Sequence, residues 1–165
     1  FDRLVAAGLA TGNAGLVTDI ISCPGLDYCA LATARSIPIA QRISERFGDA
    51  ARAADIGSIS INISGCINAC GHHHVGNIGI LGIDKGGVES YQITLGGSAD
   101  ESCALGKLTG PGFSTEDVVD SVEIIVDTYL ELRTDKAEDF LSTYRRVGMP
   151  PFKKALYERF QGNAI

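Results

Sequence analysis

The sequence lacks the surplus of Lys and Arg that a phosphate backbone demands. It has 14 basic against 20 acidic residues, a formal net charge of -6 and a pI of about 5.0. A nucleic-acid partner is excluded on that balance, because phosphate binding needs clustered cations. No apolar run approaches the ~20 residues that cross a bilayer. The opening residues carry no signal-peptide pattern. Internal repeats and low-complexity linkers are also missing, so a cytoplasmic chain is expected. Met is absent from the first position, where Phe1 stands, and the chain is expected to be an excised part of a larger protein.

An even complement of cysteines is lacking too. The five are Cys23, Cys29, Cys66, Cys70 and Cys103, and an odd count argues against a simple disulfide framework. A chain of 165 residues, 45% hydrophobic and 21% charged, can build one globular core without such staples. The C-x2-C spacing of zinc knuckles and of thioredoxin-like redox sites is missing as well. Metal ligation by reduced thiols in other spacings is the better reading.

Hydrophobic periodicity predicts a mixed α+β fold. Phe1 to Leu9 reads as a helix fragment, and Leu16 to Ile21 as a buried strand leading to Cys23. A helical region is expected from about Leu26 to Phe47, divided near Ser36 and Pro38, since Pro is tolerated only in a first turn. Ile39, Ile43 and Phe47 then mark a helical face, and Gly48 a stop. From Ile56 to Ser64, Ile59, Ile61 and Ile63 alternate with polar residues, which predicts a strand with one buried face. Ile78 to Ile83 and Val88 to Leu95 form an expected hairpin, with Asp84 to Gly87 as its turn. Ala104 to Leu108 is a further strand candidate. A helical tail is expected from about Ser114, capped by Ser114 with Asp117 at N3. Its helices are lined by Val118, Val122, Ile125, Tyr129 and Leu132, then by Phe140, Leu141, Tyr144 and Val147 up to Gly148, then by Phe152, Leu156 and Phe160 after Pro150-Pro151.

The cysteines carry the chemical signal. Cys23 to Cys29 is C-x5-C and Cys66 to Cys70 is C-x3-C, each just after a predicted strand. If the strands are neighbours, four thiolates converge, and that suits Zn²⁺ or an iron–sulfur cluster. The wide spacing favours the bulkier inorganic core. Gly25, Gly65 and Gly71 allow backbone amides close to the sulfurs. Cys29 is expected near a helix start, where the dipole favours a thiolate. Cys103 has no partner pattern and reads as a structural thiol.

Gly65-Cys66-Ile67-Asn68-Ala69-Cys70-Gly71 resembles the second cysteine motif of the siroheme-containing sulfite and nitrite reductases, and C-x5-C resembles the first. Ile78-Gly79-Ile80-Leu81-Gly82, Leu95-Gly96-Gly97, Thr143-Tyr144-Arg145-Arg146-Val147-Gly148 and Pro151-Phe152-Lys153 extend the resemblance in order over most of the chain. It implies a nitrite/sulfite reductase 4Fe-4S domain-like fold over residues 1–165, a single C-terminal unit of a larger enzyme. It further implies a [4Fe–4S] cluster on Cys23, Cys29, Cys66 and Cys70, with Cys70 also the axial bridge to a siroheme iron. Asn68, Gly71 and His72 would lie against the cofactors. The implied reaction is six-electron reduction of sulfite to sulfide, or of nitrite to ammonia. Electrons would come from ferredoxin or an NADPH-flavoprotein. The family's anion-binding Arg and Lys find no match here, so no catalytic residue is assigned. The isolated segment is expected to be inactive without the N-terminal part of the same enzyme.

His72-His73-His74 departs from the family pattern. These residues can be polar or surface groups around the site, one can contact the siroheme, or they can form an independent metal site; adjacent side chains point apart, which disfavours a shared ion. Gly76, Gly79 and Gly82 do not fit a nucleotide-binding G-x-G-x-x-G. Glu116, Asp117 and Asp120 read as a capped, solvated helix face. Two other functions compete: a four-cysteine zinc module for protein interaction, and a ferredoxin-like carrier that holds no siroheme.

Overall fold

Alternating isoleucines build the centre of the sheet. In the computed structural model, which describes residues 1–10 and 12–160, β2 (Ile61–Ser64) is buried along its whole length. It pairs in parallel with β1 (Ile20–Ser22) on one side and with β3 (Ile78–Lys85) on the other. β3 turns back into β4 (Val88–Leu95), which pairs antiparallel with the short β5 (Lys107–Leu108). The five strands thus lie in the order β1-β2-β3-β4-β5, parallel in one half and antiparallel in the other. The hairpin turn is tighter than expected. Lys85 already pairs with Val88, and only Gly86 and Gly87 remain as loop, at φ 64° and 90°. Two positive φ angles in a two-residue turn match the twist of the flanking strands.

The two faces of the sheet have different partners. Ile61, Ile63, Ile78, Ile80, Tyr91, Ile93 and Leu95 point into one continuous core. α2 (Ile37–Arg46) adds Ile39 and Ile43 to it, and α3 (Ala50–Ile56) adds Ala53 and Ile56. α4 (Asp117–Leu132) contributes Val118, Val122, Ile125 and Tyr129. α5 (Phe140–Val147) and α6 (Met149–Arg159) close the layer with Phe140, Phe152 and Leu156. Each such aliphatic or aromatic side chain removed from water is worth about 1.5–3 kcal/mol. The opposite face of β2 carries Asn62 and Ser64. These are also buried, under the segment that follows the strand: Asn62 Nδ2 donates to His72 O at 3.1 Å, and Gly71 N–H donates to Ser64 Oγ at 3.1 Å. The expectation of one buried face on this strand is therefore corrected, as a central parallel strand is covered on both.

The tail follows its sequence signals. Ser114 Oγ accepts from Asp117 N–H at 3.1 Å and donates to the Asp117 carboxylate at 2.8 Å. Asp139 caps α5 through Ser142 N–H, and Gly148 at φ 74° separates α5 from α6. Tyr129 O–H donates to Ile56 O and Glu138 O, both at 3.0 Å, tying α4 to α3 and to the turn before α5.

Further expectations need correction, and one helix was not expected. Leu26 to Arg35 is not helical; it is a chain of turns fixed by Leu26 N–H to Ala34 O at 3.0 Å. A helix there would have to give up that bond and the contacts with Gly65 described below. α3 escaped the sequence reading, although Asp49 caps it by accepting from Arg52 N–H. Its presence shortens the predicted strand, because Ile56 ends α3 and the ladders to β1 and β3 begin only at Ile61. The strand before Cys23 is also shorter, with Leu16 reduced to an isolated bridge to Ser58. The helix fragment expected within Phe1 to Leu9 does form, as α1 (Asp2–Ala6), wholly exposed, whereas the strand expected over Ala104 to Leu108 is reduced to β5.

Candidate metal centre

Parallel pairing places the cysteine pairs side by side. β1 ends at Ser22, opposite Ile63, and β2 ends at Ser64. Cys23 and Cys66 therefore leave the same, C-terminal edge of two adjacent strands, the edge where sheets of parallel strands bind ligands. Cys23 N–H continues the ladder to Ile63 O at 3.1 Å. The two loops then hold each other. Gly65 N–H donates to Cys23 Sγ at 3.1 Å, while Thr33 N–H and Ala34 N–H both donate to Gly65 O at 2.9 Å. Thr33 Oγ1 reaches Gly65 O and Gly82 O as well.

Close approach explains the glycines. A Cβ on Gly65 would stand 2.5 Å from Ala34 O and 3.0 Å from Gly25 Cα, and one on Gly71 would stand 1.9 Å from Ile63 O. Ala69 and His72, on either side of Cys70-Gly71, adopt left-handed φ angles of 56° and 54°. Such angles cost non-glycine residues on the order of 1–2 kcal/mol each, so the packing of this loop holds Cys70 in a strained presentation.

The four thiols differ in exposure. Cys66 is buried, Cys23 and Cys29 are half-buried, and Cys70 is exposed. Cys29 lies in a turn, with its N–H on Gly25 O at 2.9 Å; the expected helix start is not there, and the dipole argument for it falls. Cys66 lines an open hollow of about 480 Å³ with Leu31, Thr33, Ile67, Asn68, Ile83 and Asp84. Leu31 and Ile67, which line it, are 73% and 82% exposed, and Tyr28 in the C-x5-C loop is 80% exposed. Soft sulfur donors, an amide N–H already aimed at one of them and a hollow beside another fit a thiolate-held cluster.

An ionic clip holds the first loop, and the sequence reading missed it. Arg35 Nε binds Asp27 within the C-x5-C loop at 3.1 Å, and the Arg35 backbone N–H donates to Glu89 on β4 at 2.9 Å. Tyr91 O–H completes the clip, donating to Arg35 O at 2.9 Å. Alternating charge at positions 27, 35 and 89 was the available signal, but only the fold brings them together.

The three histidines separate as their adjacency demands. His72 and His74 are exposed, and His73 is buried in a single 3-10 turn (His73–Val75). Among the described residues no three His, Cys, Asp or Glu lie close enough to share one metal ion; the independent histidine metal site is therefore not formed, and the four cysteines too are spread wider than a single ion such as Zn²⁺ would gather them. His73 Nδ1 is buried without a partner. Burial, and then neighbouring His74, push its pKa from 6.5 down to about 4. The unfolded chain therefore takes up a proton that the native chain refuses between those values. Stability should be full above about pH 6.5 and should fall, by on the order of 3 kcal/mol, as pH drops to about 4. Titration of the His73 ring by NMR checks this; a midpoint near 6.5 in the folded chain would contradict it.

Cys103 is exposed at φ 32°, so its reading as a structural thiol is corrected: it packs against no core. Asp117 and Asp120 occupy the first turn of α4, where negative charge is favoured, and Asp120 pairs with Arg46 at 2.9 Å. No helix among the described residues is long and apolar enough to cross a membrane.

The family described as the nitrite and sulphite reductase 4Fe-4S domain matches residues 14–163. The chain belongs to that family. Among curated relatives, a sulfite reductase [ferredoxin] 2 of Mycolicibacterium paratuberculosis is 29% identical over 79% of this chain and 25% of its own length. A ferredoxin–nitrite reductase of Synechococcus elongatus is 34% identical over 61% of this chain and 20% of its own. The solved structure of Mycobacterium tuberculosis NirA shares the fold, with a TM-score of 0.68 at 24% identity, covering 84% of this chain and 26% of that one. The chain thus spans a fifth to a quarter of the length of these proteins.

Proposed function

We propose that this chain is the cluster-bearing C-terminal unit of an assimilatory sulfite reductase. Cys23, Cys29, Cys66 and Cys70 hold a [4Fe–4S] cluster, and Cys70 also bridges to the iron of a siroheme. One observation carries the reading: in a member of this family, both cysteine loops leave adjacent parallel strands and are bound to each other through Gly65 N–H and Cys23 Sγ. The exposure of Cys70, alone among the four, supports its bridging role, because a second cofactor needs an open sulfur. Asn68, Gly71 and exposed His72 follow or flank it and would lie against the cofactors.

The cofactors supply single-electron relay and an iron that binds the substrate anion. The chain's own part is to hold and tune. Thr33, Ala34 and Gly65 fix the spacing of the two loops, and the Arg35 clip keeps the first from opening. Sulfite is the proposed substrate, reduced to sulfide with six electrons; nitrite, reduced to ammonia, is the second reading, favoured by the Synechococcus relative. Ferredoxin or an NADPH-flavoprotein would donate the electrons, as relatives named for each donor are found. A cytoplasmic enzyme completed by an N-terminal part of the same polypeptide is proposed, with these 165 residues inactive alone.

The test is anaerobic reconstitution of the full-length protein. It should bind about four irons and four sulfides at these cysteines and convert sulfite to sulfide with a strong one-electron donor. Stoichiometric zinc in place of iron, with no visible charge-transfer band, would establish the zinc module instead.

A further inference from the structure

Ser36 stands where a helix cap is expected and does not cap. It precedes α2, the position at which a Ser side chain commonly accepts from the first helical N–H groups, yet it makes no such bond. Its side chain turns the other way. Ser36 Oγ donates to Cys23 O at 2.6 Å and lies 3.6 Å from Cys23 Sγ. The residue is 0% exposed. Room for it is made by Gly25, whose φ is 62° and where any Cβ would come within 2.3 Å of Ser36 Oγ. A buried hydroxyl, an unused cap and a glycine that vacates its space all bring Ser36 onto Cys23, bonded to its carbonyl and within reach of its sulfur.

We infer that Ser36 is a tuning residue acting through Cys23: with Gly65 N–H it gives the Cys23 sulfur a second hydrogen-bond donor and raises the reduction potential of the cluster. This rests on the ligand assignment proposed above. With Cys23 as a thiol, the hydroxyl donates to Cys23 O and accepts from the S–H. With Cys23 as an iron-bound thiolate, that sulfur proton is gone, and the charged sulfur becomes the stronger acceptor for the hydroxyl. Cys23 O keeps a partner when the hydroxyl swings, because Ser22 Oγ also donates to it, at 3.1 Å. The step affected is uptake of one electron from an external low-potential donor, with no bond made or broken and no proton transferred. The added negative charge spreads onto the cysteine sulfurs, and donors fixed beforehand favour the reduced state.

The experiment uses the full-length protein with its cluster and reads the midpoint potential by EPR-monitored titration. Ser36→Ala should retain the wild-type iron and sulfide content. Its ratio of reduced to oxidised cluster at a fixed potential should fall three- to tenfold, a drop of roughly 30–60 mV at 59 mV per tenfold. Ser36→Thr keeps the hydroxyl and should restore the wild-type value. After exchange into D2O, pulsed EPR should count one strongly coupled deuteron fewer in Ser36→Ala than in wild type. An unchanged potential in fully loaded Ser36→Ala overturns the tuning role and leaves the cluster assignment standing. Zinc, or no iron, in the wild type overturns both. Should Ser36→Ala not load, the wild-type protein decides: coupling to no deuteron beyond that of the Gly65 amide overturns the inference.

Discussion

Cys70→Ser in the full-length enzyme is expected to cost more activity than Cys23→Ser, and to abolish magnetic coupling between cluster and siroheme. The reason is position. Cys23 is half-buried, its sulfur already engaged by Gly65 N–H, so a substitution there disturbs one cofactor. Cys70 is exposed, on a loop strained at Ala69 and His72, and in the proposed role it serves two cofactors. A serine oxygen is harder and less polarisable than sulfur and conducts electronic coupling poorly between two irons. The loss should exceed the ~10–100-fold typical of removing a supporting group around a metal. Sulfide production and EPR measure it; normal coupling in Cys70→Ser would sink the bridging role.

Gly71→Ala should be among the most damaging single changes in the chain. The new methyl would lie 1.9 Å from Ile63 O and 2.7 Å from Ile63 C, both backbone atoms of β2. A strand paired on both sides cannot yield, so the loop must lift. Lifting it breaks Gly71 N–H to Ser64 Oγ and uncovers Asn62. A loss above ~3 kcal/mol is expected, in the tail of the usual distribution, together with loss of iron from the site. Gly86→Ala is the comparison. Its φ is 64° but nothing lies within 4 Å, so only the ~1–2 kcal/mol conformational cost applies. Urea unfolding of both variants checks the pair, and Gly71→Ala within 1 kcal/mol of wild type would refute the packing argument.

Local rules made the tail and the hairpin legible in the sequence. Ser114-x-x-Asp117, Gly148 and Gly86-Gly87 each determine their backbone through a contact within a few residues. The cysteine spacing likewise pointed to a metal centre before any strand order was known. What failed was long-range. Leu26 to Arg35 has helix-forming residues, but the backbone donors of Thr33 and Ala34 are taken by Gly65, about thirty residues away, and that of Arg35 by Glu89. Asn62 and Ser64 look like a solvent face and are buried because the loop they lead to folds back over them. Ser36 read as a break between helices, and its chemistry appears only when Cys23 is beside it.

The change from parallel to antiparallel pairing at β3 has a consequence for the order of assembly. Partners across β3 and β4 run from Lys85–Val88 to Ile78–Leu95, all close in sequence, whereas Ile20 must find Ile61 across the whole of α2 and α3. Loop closure favours the near pairs first, and distant pairing sets the slow step. The Cys66–Cys70 loop therefore belongs to the early-forming half, and the Cys23–Cys29 loop arrives with the last strand. Refolding should therefore fix the backbone around Cys66 and Cys70 before β1 brings Cys23 and Cys29 beside them.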